Sequence, residues 1–231
     1  MVEIVETHPL NRSIEYQNLV DSTAQLEFQD YNPQIIANVF TKDQMDRIYK
    51  TILKTPLADL KIGPWGGQCA WLRTHFDEDI VERINEIGFA LFGDQIELQL
   101  DYSFARYSNE FGYKPKLFPH SDLRPKPRFL LDIQLRTDEP WGLVVEETTY
   151  HLEDNQALFF SGTNQVHWRE DKTLSPHTRI DMLFCNFEFK DDKKFHEDHS
   201  NSTAARAVFL RNKYKIEDTP VLADRKINEL L

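Results

Sequence analysis

Apolar positions follow two regimes along the chain, and the change between them comes at Gly93. Before it the spacing is helical. Lys42 to Lys54 carries Met45, Ile48, Tyr49 and Ile52 three and four residues apart, with Thr41 placed to cap the helix. Ile80, Val81, Ile84, Ile87 and Leu91 repeat that spacing over a second helix, which Asp77 or Asp79 can start and Gly93 ends. A strand-like Ile35 to Phe40 precedes the first helix. Thr55 to Trp71, with Pro56, Pro64, Gly66 and Gly67, reads as loop. The first 30 or so residues are polar and weakly periodic, and read as an arm over the domain.

After Gly93 the period becomes two. Ile96 to Tyr107 is one long alternating run, and Arg128 to Leu135 is another, with Phe129, Leu131, Ile133 and Leu135 on one face. Leu143 to Glu147, Thr149 to Leu152, Ala157 to Phe160 and Arg179 to Glu188 follow, separated by short turns rich in Gly, Pro, Asn and Asp. Ser202 to Tyr214 reads as a surface helix. Helices, then about eight strands, then a helix predict a mainly β fold: a double-stranded β-helix, or jelly-roll barrel, supported by N-terminal helices. A single domain over 1–231 is expected, with an arm (1–34), supporting helices (35–95), a jelly-roll core (96–190) and a C-terminal helical extension (191–231).

Composition agrees with a packed domain: hydrophobic residues make up 40% and aromatics 12% of the 231 residues. The formal charge of −11 works against docking on nucleic acid or anionic lipid, though not against a local basic pocket for a small anion. Cys69 and Cys185 form no CxxC pair, which argues against a disulfide framework or a structural zinc and suits a reducing, cytoplasmic setting. The N-terminus has no basic flank or apolar run of a signal peptide, and no stretch approaches the ~20 apolar residues of a membrane span. The sequence carries no reading of oligomeric state.

The candidate chemistry lies in Phe118-Pro119-His120-Ser121-Asp122. On an extended segment residues i and i+2 point to the same side, so His120 and Asp122 can grip one ion together. A third ligand can come from His167, after the strand and turn from Ala157 to Val166; in a jelly roll that return strand runs beside the first pair. Two histidines and one carboxylate form a facial triad, which leaves three metal positions open and suits a non-haem Fe(II) oxygenase. Arg179 opens the next strand, where a guanidinium could pair two-pronged with a co-substrate carboxylate.

These features in order resemble the Fe(II)/2-oxoglutarate-dependent dioxygenases, and among them the prolyl-hydroxylase-like branch. The likeness runs from about Ile35 to Glu188. It covers the Val-Phe-Thr-Lys-Asp-Gln-Met entry to the first helix, the long strand ending Ala-Arg-Tyr, the H-x-D triplet, the Trp141-Gly142 turn, the strand with Leu-Phe-Phe, the distal histidine and the arginine strand. The resemblance implies that His120, Asp122 and His167 bind Fe(II) and that Arg179 takes the far carboxylate of 2-oxoglutarate. Tyr107 and Gln134 would line the co-substrate site. O2 would be consumed with release of succinate and CO2, ascorbate would support turnover, and hydroxylation is the usual outcome. Asp122 stands where halogenases of the superfamily have Gly or Ala. Two features depart from the pattern: a longer segment between Tyr107 and His120, and Arg179-Ile180-Asp181 in place of Arg-x-Ser.

Several positions keep two readings. Tyr107 is core or ligand. Gln134 shares a polar strand face with Arg128 and Asp132, which is solvent or barrel interior; the packing needs of the opposite face favour the interior. Trp141 is packing or pocket wall. Arg124, Arg128 and Arg169 flank the ligands and could grip an acidic substrate. His151 alternates within a strand and could face solvent, His177 precedes Arg179 in a turn, and His196 and His199, in a charged tail, read as solvated. The expected substrate is a small polar molecule such as an amino acid or a derivative. A protein side chain is the alternative, a non-catalytic metal-binding jelly roll is a third reading, and nucleic acid is disfavoured by charge.

Overall fold

The computed structural model describes residues 2–7, 9–23, 31–53, 61–63, 69–109, 114–122, 128–190 and 199–216. Eight antiparallel strands form one sheet. In chain order they are β1 (Glu3–Thr7), β2 (Gln34–Ala37), β3 (Lys61–Gly63), β4 (Cys69–Thr74), β5 (Ile96–Tyr107), β6 (Arg128–Thr137), β9 (Gln156–Ser161) and β11 (Ile180–Phe189). Across the sheet the order is β1-β2-β9-β6-β11-β5-β4-β3. A second sheet, ordered β10-β7-β8, contains β7 (Leu143–Val145), β8 (Thr148–Tyr150) and β10 (His167–Arg169). Two facing antiparallel sheets with these crossovers make the expected jelly-roll barrel.

The pleat sorts side chains between two cores. Phe129, Leu131, Ile133 and Leu135 of β6 join Leu183 and Phe187 of β11 and Phe159 of β9 on the outer face of the large sheet. Two helices cover that face: α2 (Lys42–Leu53) with Ile48 and Ile52, and α3 (Glu78–Phe92) with Ile80, Ile84 and Ile87. Burying side chains of this size stabilises the domain by roughly 1.5–3 kcal/mol each. The other face of β6 and β9 looks into the barrel, where Leu130, Leu158 and Phe160 meet Leu143, Val145 and Tyr150 of the small sheet. The polar face of β6 is therefore barrel interior.

Helix boundaries follow local chemistry. Thr41 caps α2 reciprocally: the Gln44 amide donates to Thr41 Oγ1 (3.2 Å) and the Thr41 amide to Gln44 Oε1 (3.0 Å). Gly93, at φ +61°, ends α3 with its N–H on the Phe89 carbonyl. Asp77 precedes α3 without a side-chain cap bond, because its carboxylate and that of Asp79 turn to Arg47 instead.

Three elements differ from the sequence expectation. The polar arm holds β1 and a helix, α1 (Ile14–Thr23), which buries only Tyr16 and Val20 and so leaves a weak periodic trace. Part of the expected Thr55–Trp71 loop is strand: β3 and the start of β4 extend the sheet beyond β5. The expected strand through Glu147 stops at Val145, since Glu146 and Glu147 form a turn at φ +51° and +72°.

The final helix, α4 (His199–Tyr214), starts slightly earlier than expected. With α1 it packs on the outer face of the small sheet, where Tyr16, Val20, Ala207 and Leu210 meet Val144, Val166 and Trp168. No described helix is long and apolar enough to cross a membrane.

Candidate metal centre

His120 sits on a short extended segment that pairs with β10. The His120 amide donates to the His167 carbonyl at 3.1 Å, and the His167 amide returns a bond to the His120 carbonyl at 2.8 Å. This exchange places the two imidazoles side by side, with centroids 4.3 Å apart. Two residues on, the Asp122 amide donates to the Gly162 carbonyl at 2.8 Å, which carries the carboxylate to the same place. One ligand atom from each of His120, Asp122 and His167 lies within 4.8 Å of the others. His120 Nε2 and Asp122 Oδ1 are 3.8 Å apart.

The ring orientations suit a metal. His120 Nδ1 is 2.8 Å from the Phe118 carbonyl, and His167 Nδ1 is 3.1 Å from the Gln165 carbonyl. A carbonyl can only accept, so each Nδ1 carries a proton, which leaves Nε2 as the ring atom available to a metal. Burial, reinforced by His120, pushes the His167 pKa well below the usual histidine value, so the ring is neutral at physiological pH. Gly162 is required by contact: a Cβ there would come within 2.8 Å of Asp122 Oδ2 and of the Leu130 side chain.

Arg169 lies two residues beyond His167 on β10, so it points to the same side, about 6–7 Å along the strand. Its side chain runs inside the barrel, 5.1 Å from the Trp141 ring centroid and 5.8 Å from that of Tyr107. It is 4% exposed. One terminal nitrogen donates to the Trp141 carbonyl and the other meets the Met182 sulfur, while Nε has no hydrogen-bond partner. No described carboxylate forms a salt bridge with it. A buried guanidinium with no carboxylate in salt-bridge contact is costly unless an anion completes the site. Asp132, on the interior face of β6, is also buried and has Oδ1 without a partner. Burial pushes its pKa up to about 8, partly offset by the Arg169 charge.

The other sequence candidates fall differently. Tyr107 is buried, edge-on to Trp141 at 5.1 Å, and both belong to the interior cluster with Ile180 and Met182. Trp141 walls Arg169 and donates its indole N–H to the Glu170 carbonyl. Gln134 is buried, but its amide donates to the backbone carbonyls of Arg136 and Asp181, where β6 and β11 slip register.

Arg179 stands immediately before β11 and is half-buried. Ile180 faces the Tyr107–Trp141 cluster and Asp181 turns the other way to a two-pronged pair with Arg106 (2.7 and 2.8 Å). The Arg179 amide donates to Asp138 Oδ2 at 2.9 Å. Arg124 and the side chain of Arg128 lie outside the described residues. Two buried interior groups, Asp132 and Arg169 with its open Nε, are features that spacing alone did not single out as a pair. The signal was the polar face of β6 and the i, i+2 relation to His167.

No protein-family model matches the sequence, and no curated protein matches it. Solved structures do. An oxidoreductase of the 2OG-Fe(II) oxygenase family from Burkholderia pseudomallei superposes with a TM-score of 0.53 at 12% identity, over 78% of this chain and 94% of that one. AviO1 from Streptomyces viridochromogenes Tue57 gives 0.53 at 9% identity, over 80% and 98%. The non-heme alpha ketoglutarate dependent epimerase SnoN of nogalamycin biosynthesis gives 0.53 at 12%, over 76% and 83%. At such identities the likeness establishes a shared jelly-roll fold spanning nearly the whole of two of these relatives.

Proposed function

We propose that this protein is an Fe(II)- and 2-oxoglutarate-dependent oxygenase acting on a small polar molecule such as an amino acid or derivative. One observation carries the reading: one ligand atom from each of His120, His167 and Asp122 converges within 4.8 Å, while each histidine Nδ1 faces a backbone carbonyl. The solved structures that share this fold include ones named as 2OG-Fe(II) oxygenases and an alpha ketoglutarate dependent epimerase, which supports the same chemistry here.

The donor set fits a divalent iron, with two neutral imidazoles and one anionic oxygen on one face of its coordination sphere. Bound Fe(II), with 2-oxoglutarate and O2, supplies the oxidising equivalent; the balanced outcome is succinate, CO2 and one oxygen atom inserted into a substrate C–H bond. The chain's own residues hold and shield these partners. His120 and His167 are fixed by ladder hydrogen bonds, so the ligand geometry exists before metal arrives.

Arg169 is the better anchor for the far carboxylate of 2-oxoglutarate. It lies inside the barrel, on the strand that carries His167, and its Nε has no hydrogen-bond partner; continuing the alternation of Ile180 and Asp181 back one residue would turn Arg179 outward. Tyr107 and Trp141 stack beside it, shape the co-substrate end of the barrel and exclude water, which strengthens the charge pairing.

Succinate release tests the proposal. Purified protein with Fe(II), ascorbate, 2-oxoglutarate and air is challenged with pools of amino acids and small polar metabolites. Succinate that rises with one pool, and is absent from Asp122→Ala, supports the reading. Equal succinate from wild type and Asp122→Ala contradicts it.

A further inference from the structure

The turn between β7 and β8 is built from the wrong residues for its backbone. Two-residue hairpin turns with both φ positive favour Asn-Gly or Asp-Gly. Here Glu146 and Glu147 occupy those positions, at φ +51° and +72°. Both carboxylates are engaged. Glu146 is fully buried and accepts from Arg12 (Nε, 2.9 Å), from Arg206 (3.2 Å) and from the Val166 amide (2.6 Å). Its own amide donates back to the Val166 carbonyl at 2.9 Å. Glu147 accepts from the Ser13 amide, Lys213 and the Tyr214 hydroxyl.

The donors come from opposite ends of the chain: Arg12 and Ser13 lead into α1, and Arg206, Lys213 and Tyr214 belong to α4. Arg206 also donates to the Asn164 carbonyl at 2.8 Å. The segment gripped in this way, Asn164 to Val166, leads directly into His167, and Val145 stands opposite His167 in the small sheet. Val166 and Trp168, on either side of the ligand, bury their side chains against α1 and α4.

We propose that Glu146 is a positioning residue for the metal centre, holding the peptide before His167 in place only while Arg12 and Arg206 dock from the two ends of the chain. Metal affinity then depends on α1 and α4 being seated. By reciprocity, bound metal tightens α1 and α4 by the same factor. The inference rests on the metal-centre reading above, and extends it to residues that touch no ligand.

Two measurements test it, both independent of turnover. First, Mn(II) is titrated into wild type and Arg12→Gln, well below the melting temperature of either. The expected result is about tenfold weaker binding by the variant, the size typical of losing an outer support of a ligand, with partial rescue by Arg12→Lys. Unchanged affinity with a lowered melting temperature reduces the network to a structural clasp and overturns the proposal. Second, in case Arg12→Gln does not fold, amide hydrogen exchange of the wild type is compared without and with saturating Mn(II). Added protection throughout α1 and α4 and at Val166 is expected. Exchange in α1 and α4 that is the same with and without metal overturns the coupling. A wild type that binds no Mn(II) overturns this proposal and the metal centre together; a wild type that binds it, with α1 and α4 indifferent, overturns only the coupling.

Discussion

His120 and His167 are hydrogen-bonded to each other through their main chains, at 3.1 and 2.8 Å, although they lie far apart in sequence. The ladder, not the loops beside it, brings the two rings to 4.3 Å. The Asp122 amide is held by the Gly162 carbonyl, and the lack of a side chain at Gly162 leaves room for the carboxylate.

Gly162→Ala therefore crowds the carboxylate, together with the Leu130 side chain. A Cβ 2.8 Å from Asp122 Oδ2 forces the ligand out of place. Mn(II) affinity is expected to fall at least about tenfold, while overpacking lowers stability by about 1–3 kcal/mol. Titration of metal and thermal melting of the metal-free protein read the two effects apart. A variant with wild-type affinity would show that Asp122 needs no such room.

Removing either arginine separates the two assignments for the co-substrate anchor. Arg169→Met is expected to weaken 2-oxoglutarate binding by about 2–5 kcal/mol, the range for truncating a buried charge partner, with metal binding retained. Arg179→Ala leaves it within about 0.5 kcal/mol, as for a surface change. Calorimetric titration of 2-oxoglutarate into Mn(II)-loaded protein gives both numbers. The reverse ranking would return the role to Arg179.

The sequence made the long strands legible because β5, β6 and β11 alternate cleanly and are buried on the outer face. The triad was legible for the same reason: H-x-D on an extended segment fixes two ligands on one side. Arg169 and Arg179 could not be ranked by spacing, because the choice turns on the pleat. Ile180 takes the interior, which sends its neighbours outward. The arm hid α1, since two buried residues in ten leave little periodicity. Glu146 and Glu147 read as strand because nothing about a Glu-Glu pair advertises a turn; long-range charge pairing with Arg12 and Arg206 overrides the local preference.

Asp132 sets a pH dependence. Burial holds its carboxyl at about 8, against about 3.9 in an unfolded chain. Between those values the native state binds more protons than the unfolded one, so its contribution to stability falls as pH rises from about 4 to 8. Asp132→Asn removes that slope. In metal-free protein, the melting temperature of the variant relative to wild type is expected to climb from pH 5 to pH 8. Groups common to both, such as His167, cancel in the difference. A constant difference across that range would mean that Asp132 is ionised throughout.

Phe129 anchors the outer core. Its ring lies 4.6 Å from those of Tyr31 and Phe92 and 5.3 Å from that of Phe159. Phe129→Ala is expected to cost about 3–5 kcal/mol by denaturant unfolding. A loss below about 1 kcal/mol would imply that the helices collapse onto the sheet and refill the space.

The most direct test of the central claim needs no substrate. 2-Oxoglutarate is titrated calorimetrically, without oxygen, into wild type and Asp122→Ala, each with and without Fe(II). Wild type is expected to bind 2-oxoglutarate only when the metal is present, and Asp122→Ala is expected not to bind it. Wild type that takes up neither Fe(II) nor 2-oxoglutarate, or binds 2-oxoglutarate equally without metal, contradicts that claim.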